Sequence, residues 1–168
     1  MVSRRSFAGV LAALAGTAVL TEYLRMGRAD AAAEGEKRFP VMKADAEWRK
    51  ILKPEQYEVL RQEGTERPFS SPLNDEHRKG VFACAGCDQQ AFLSETKFDS
   101  GTGWPSFYAP IADAVDAVED RSFFMVRTKI GCSRCGGHLG HVFNDGPKPT
   151  GLRYCMNGVA LNFTPAQA

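Results

Sequence analysis

Val81-Phe82-Ala83-Cys84-Ala85-Gly86-Cys87 runs a short apolar segment into a Cys-x-x-Cys pair, and the segment ending Ile130-Gly131-Cys132-Ser133-Arg134-Cys135 repeats the arrangement. Two residues between cysteines let both sulfurs of a pair reach one metal ion at about 2.3 Å, so four thiols in two such knuckles complete a tetrahedral zinc site. Two disulfides or a redox-active Cys-x-x-Cys are the alternatives; the matched spacing favours one structural zinc ion. Such a site has no open position, so it holds the fold and does not activate water. Because 44 residues separate Cys87 from Cys132, the ion would tie two distant turns together and remove loop entropy from the unfolded chain.

Around the knuckles, from Thr65 onward, short apolar or alternating runs are broken by Gly, Pro, Asn and Asp, the pattern of antiparallel strands and turns. Val81–Ala83 and Phe123–Ile130 are predicted strands leading into the two knuckles, and Val159–Phe163 is a predicted closing strand. Ahead of them Asp45 is placed to cap a short helix with Trp48, Ile51 and Leu52 on one face, and Pro54 opens a second carrying Tyr57 and Leu60, which Gly64 stops. The fold class is mainly β within α+β, one domain over residues 45–165 preceded by a solvated linker over 32–44. With 168 residues, 43% hydrophobic and 24% charged, the composition is that of an ordinary globular protein.

Residues 1–31 read as an export signal. Ser3-Arg4-Arg5-Ser6-Phe7 precedes the apolar run Phe7–Leu20, and adjacent arginines there point to the twin-arginine route and a periplasmic destination. The run is short of the ~20 residues needed to span a bilayer. Ala29 and Ala31 supply an Ala-x-Ala cleavage signal, so no stable membrane anchor is expected after cleavage. Losing this segment moves the formal charge from +1 to about −1, which leaves no electrostatic case for nucleic acid. In an oxidising compartment zinc would protect the four thiols, and export of an already folded protein would let the metal load first.

The fifth cysteine stands apart in Gly151-Leu152-Arg153-Tyr154-Cys155-Met156-Asn157. Buried apolar packing is the bland reading of a lone cysteine. As a strand, however, this run puts Arg153, Cys155 and Asn157 on one face, and a guanidinium beside a thiol favours the nucleophilic thiolate. Gly136-Gly137-His138-Leu139-Gly140-His141 supplies two of the chain's three histidines, candidate proton donors for a thiol reaction and, alternatively, structural residues or a metal ligand. His77 lies in a polar loop and reads as a surface residue. Trp104, in Gly101-Thr102-Gly103-Trp104-Pro105-Ser106-Phe107, is either a wall for a small apolar ligand or a core aromatic.

Gly64-Thr65-Glu66-Arg67-Pro68-Phe69, Cys84-Ala85-Gly86-Cys87, the run Lys97 to Phe107, His138-Leu139-Gly140-His141-Val142-Phe143 and Gly151 to Asn157 occur in one order. Together they resemble the methionine sulfoxide reductase B family, the peptide-methionine (R)-S-oxide reductases, from about Trp48 to Phe163. The resemblance implies two antiparallel sheets stapled by a structural zinc on Cys84, Cys87, Cys132 and Cys135, and reduction of methionine-R-sulfoxide, free or in proteins, through a Cys155 sulfenic acid. It implies that His141, helped by His138, serves the sulfoxide oxygen, that Arg153 favours the thiolate, that Asn157 orders the pocket, and that Trp104 and Phe107 bind substrate. Many members carry a second cysteine where this chain has Thr102; without it, an external thiol or thioredoxin-like reductant must reduce the sulfenic acid. A second departure is Lys129-Ile130-Gly131 ahead of the second knuckle, where the family usually has an acid. The competing readings are a zinc-stapled module that binds oxidised peptides without turnover, and a thiol peroxidase.

Overall fold

Two short helices open the described chain, residues 38–121 and 126–167 of the computed structural model. The expected export signal, linker residues 32–37 and residues 122–125 lie outside the described residues. Helix α1 spans Asp45–Ile51, and its N-cap is Ala44, one residue before the expected Asp45. The Glu47 carboxylate accepts the Ala44 N–H at 2.8 Å, which frees Asp45 to accept from Arg49 Nε and the Tyr57 hydroxyl. Trp48 and Leu52 are buried along the i, i+4 line, but Ile51 is 56% exposed, so the expected three-residue face narrows to two. Helix α2, Pro54–Gln62, begins on its proline and buries Tyr57, Val59 and Leu60. It ends where Glu63 turns left-handed at φ 57°, one residue before the expected stop, and the Gly64 N–H donates to Glu58 O at 3.0 Å.

Among the described residues nine strands follow: β1 Gly80–Cys84, β2 Gln90–Leu93, β3 Lys97–Phe98, β4 Ser106–Phe107, β5 Val115–Asp120, β6 Arg127–Cys132, β7 His138–Phe143, β8 Arg153–Met156 and β9 Leu161–Pro165. The two sheets have the orders β2-β1-β9 and β3-β4-β8-β7-β6-β5, and every pairing is antiparallel. The closing strand starts at Leu161, not Val159, because Gly158–Ala160 forms a tight 3-10 turn first. No helix among the described residues is long and apolar enough to cross a membrane.

Aromatic rings join the two sheets. Phe107 of β4 meets Phe82 of β1 edge-on at 5.0 Å and stacks on Phe92 of β2 at 4.4 Å, while Phe92 also touches Tyr154 of β8. Each ring removes on the order of 150–250 Å² from water, and the paired geometries add attraction beyond area. Phe107, expected at the substrate, is fully buried in this core. Strand alternation is the reason, since Ser106 pairs with Cys155 and turns one way while Phe107 pairs with Tyr154 and turns into the core.

Candidate active site and metal centre

The β1–β2 and β6–β7 turns bring the four knuckle cysteines together, with their sulfurs all within 4.8 Å of one another. Cys84 Sγ lies 3.7 Å from Cys135 Sγ, and Cys87 Sγ lies 3.5 Å from Cys132 Sγ. A tetrahedron with ~2.3 Å arms has edges of ~3.8 Å, so these separations fit one four-coordinate ion. They are far beyond the ~2.05 Å of a disulfide, and all five cysteines are free thiols. Four donors this crowded cannot all ionise unaided: hydrogen bonds from Cys132, Cys135 and Cys87 push the Cys84 thiol up, while those from its neighbours push Cys132 down. Trp48 and Leu60 rest on the first knuckle, close to Gly86, which is what the N-terminal helices contribute to the centre. Neither histidine belongs to the cluster of donors.

The fifth thiol sits on the other face from the aromatic core. Strand register lines up Lys129, His141, Cys155 and Ser106 across β6, β7, β8 and β4, and the next row on the same face contains Asp120, Arg127, Phe143 and Arg153. Cys155 is half-buried, with Thr102 Oγ1 at 3.9 Å from its sulfur. Ser100 bridges Thr102 and Ser106 at 2.8 Å to each, so a chain of hydroxyls surrounds the thiol. Burial pushes the Cys155 thiol up, while Thr102, Arg153 and Ser106 draw it back down. Arg153 therefore pulls toward the thiolate, but burial outweighs all three groups and the thiol stays raised. Its guanidinium is held in a bidentate grip by Asp145, at 2.9 and 2.8 Å, and lies over the Phe143 ring.

Residues three apart on a strand face opposite ways, yet the His138 and His141 rings meet edge to face at 5.3 Å. The register explains it: Ile130 pairs with Gly140 and Gly131 with His138, so β7 carries one extra residue, Leu139, as a β-bulge that re-aims His138. Asn157 secures that bulge, donating to the Leu139 carbonyl from its backbone at 2.8 Å and from Nδ2 at 3.1 Å. His138 is buried with neither ring nitrogen hydrogen-bonded, and burial pulls it down to about 4. His141 is also pulled down, by burial, against a hydrogen bond from Nε2 to Asp120 Oδ2 at 3.0 Å.

Trp104 is half-buried, and its indole N–H donates to the Glu66 carbonyl at 3.1 Å. Glu66 is a hub that no spacing in the sequence marks. Its N–H donates to Asn157 Oδ1 at 3.0 Å, and its carboxylate accepts from the Gly158 N–H at 2.5 Å and the Val159 N–H at 3.0 Å. One residue thus anchors both the indole wall and the bulge-holding amide. Ser100, Ser106, Asp120 and Asp145 were equally unassigned, since no local spacing marks a contact made across strands. His77 lines a cavity of about 150 Å³ with Phe69, Lys97 and Trp104.

Residues 52–165 match the sequence profile of the SelR domain. A protein called peptide methionine sulfoxide reductase MsrB from Methanosarcina barkeri is 62% identical over 124 residues, covering 73% of this chain and 87% of the relative. Proteins of the same name from Methanosarcina mazei and Agrobacterium fabrum are 58% and 56% identical, each over 74% of this chain and over 89% and 93% of their own lengths.

Proposed function

The chain belongs to the SelR-domain family of peptide-methionine (R)-S-oxide reductases, and from that premise we propose that Cys155 is the nucleophile that takes the oxygen from methionine-R-sulfoxide. The observation that supports this is the register of β7 and β8, in which His141 pairs with Cys155, so that both side chains leave the sheet on the same face. Cys155 attacks the sulfoxide sulfur as its thiol proton leaves. The S–S bond made by that attack and the substrate S–O bond then both break as the protonated oxygen bonds to the Cys155 sulfur, so the thiol ends as a sulfenic acid and the sulfoxide as the thioether methionine. The imidazoles supply a proton to the departing oxygen, which makes that bond easier to break. The indole of Trp104, fixed by Glu66, packs on the methyl side of the substrate.

A sulfenic acid must return to the thiol before another turnover. Thr102 carries a hydroxyl where a resolving thiol would be needed, so two external thiols complete the cycle, leaving as a disulfide with release of one water. The knuckle cysteines hold one zinc ion, which supplies no chemistry at Cys155 and locks the β1–β2 turn to the β6–β7 turn. Arg4 and Arg5 ahead of an apolar run support a site of action outside the cytoplasm, where the enzyme repairs oxidised methionine.

The test is an assay of both separated sulfoxide epimers with a chemical dithiol. The R epimer is converted by the wild type and untouched by Cys155→Ser, which keeps its fold and its metal. Conversion by Cys155→Ser, or binding of the sulfoxide without turnover by the wild type, overturns the reading.

A further inference from the structure

The position directly across from His141 on β6 is a cation, Lys129, whose ammonium is held at 2.5 Å by Glu63 at the end of α2. The carboxylate that meets the imidazole comes instead from one strand further out, where Asp120 closes β5. Its Oδ2 lies 3.0 Å from His141 Nε2 and accepts from Arg127 Nη2 at 2.8 Å. Both Asp120 and His141 side chains are only 14% exposed, so water screens the pair weakly.

We propose that Asp120 is the positioning residue of His141, fixing its ring and stabilising the protonated form that serves the sulfoxide oxygen. An ionised carboxylate only accepts hydrogen bonds, so the hydrogen on Nε2 is committed to Asp120 and the ring's second proton, when present, sits on Nδ1. Arg127 regulates the strength of that hold because it draws on the same oxygen. The inference rests on the enzymatic reading above.

The charged and titratable groups around His141 are Asp120 on β5, Arg127 and Lys129 on β6, His138 on its own strand, Cys155 and Arg153 on β8, and Glu63 beyond α2. Among the described residues, Asp120 is the anion that makes direct hydrogen-bonding contact with the ring. Burial, Arg127 and Lys129 all oppose a charge on His141, while the hydrogen bond and charge of Asp120 favour it, so removing that carboxylate lowers the ring's proton affinity.

The experiment follows the His141 ring by NMR across pH in the intact protein and, in parallel, single-turnover methionine formation across the same range. In Asp120→Asn the His141 midpoint falls by about one pH unit. The alkaline limb of methionine formation moves down with it, and the rate drops on the order of 10- to 100-fold, part of the ~10²–10⁴ a positioned acid supplies. Asp120→Glu recovers part of both. Arg127→Met approaches the same contact from the other side and raises the midpoint. An unchanged midpoint in Asp120→Asn, or a shifted midpoint with an unmoved alkaline limb, overturns the proposal. If the wild type forms no methionine, the enzymatic reading falls and the catalytic half of this one with it, while the NMR midpoints still decide whether Asp120 governs His141.

Discussion

His141 and Cys155 stand directly opposite one another on β7 and β8, and the neighbouring pair in that ladder, Gly140 with Met156, leaves no room for a side chain. A Cβ at Gly140 would lie 2.1 Å from the Cys155 carbonyl oxygen and 2.8 Å from Met156 Cε. The absence of one methyl group therefore lets β7 and β8 approach closely at the pair next to His141 and Cys155.

Gly140→Ala is accordingly expected to cost at least the ~1–3 kcal/mol typical of overpacking, and to depress sulfoxide reduction far more than its loss of stability explains. Urea unfolding and the R-epimer assay on the same sample check this.

Thr102→Cys should create what the wild type lacks. Thr102 Oγ1 and Cys155 Sγ are 3.9 Å apart across 53 positions of sequence, so a thiol at 102 meets the sulfenic acid after one turnover. Mass analysis of peptides is expected to find a 102–155 disulfide in the variant. The wild type should show no intramolecular disulfide, and Cys155 joined to a knuckle cysteine would contradict the proposed cycle.

Glu66→Ala orphans the N–H groups of Gly158 and Val159, each worth ~1–3 kcal/mol when left buried and unpaired. It also loosens the segment that anchors Trp104 and Asn157. Thermal unfolding should register the lost stability, and KM for the sulfoxide should rise more than kcat falls.

His138 links stability to pH. Its folded value of about 4 lies below the ~6.5 of an unfolded histidine, so the unfolded chain binds more protons between those limits. The contribution is complete above about pH 6.5 and is lost as the pH falls toward 4, a difference of roughly 3 kcal/mol. Comparing wild type with His138→Gln by urea unfolding at pH 7 and pH 4.5 isolates it: the wild type should lose more stability over that interval.

Removing the metal should unfasten the two turns. Chelation is expected to release one zinc per chain and to lower Tm sharply, and serine at any one of Cys84, Cys87, Cys132 or Cys135 should do the same. Metal analysis together with calorimetry checks both.

The clustering of the four knuckle thiols and the class of fold are legible in the chain alone. Cys-x-x-Cys spacing is a local property, and so is the alternation that puts Arg153 and Cys155 on one face; short apolar runs between turn residues specify antiparallel strands wherever they pair. The order of motifs was enough to mark Cys155, His138 and His141 as a group. Tertiary structure decided the rest, because contacts between strands depend on register, which no single segment encodes. Asp120 reaches His141 across 21 positions, and Glu66 reaches Asn157 across 91. The bulge at Leu139 turns His138 toward its neighbour, and the two faces of β4 separate a pocket hydroxyl, Ser106, from a core ring, Phe107. The proton affinity of Cys155 was decided there too, since the depth at which a sulfur is buried, unlike the identity of the arginine two residues away, depends on the whole fold packed around it.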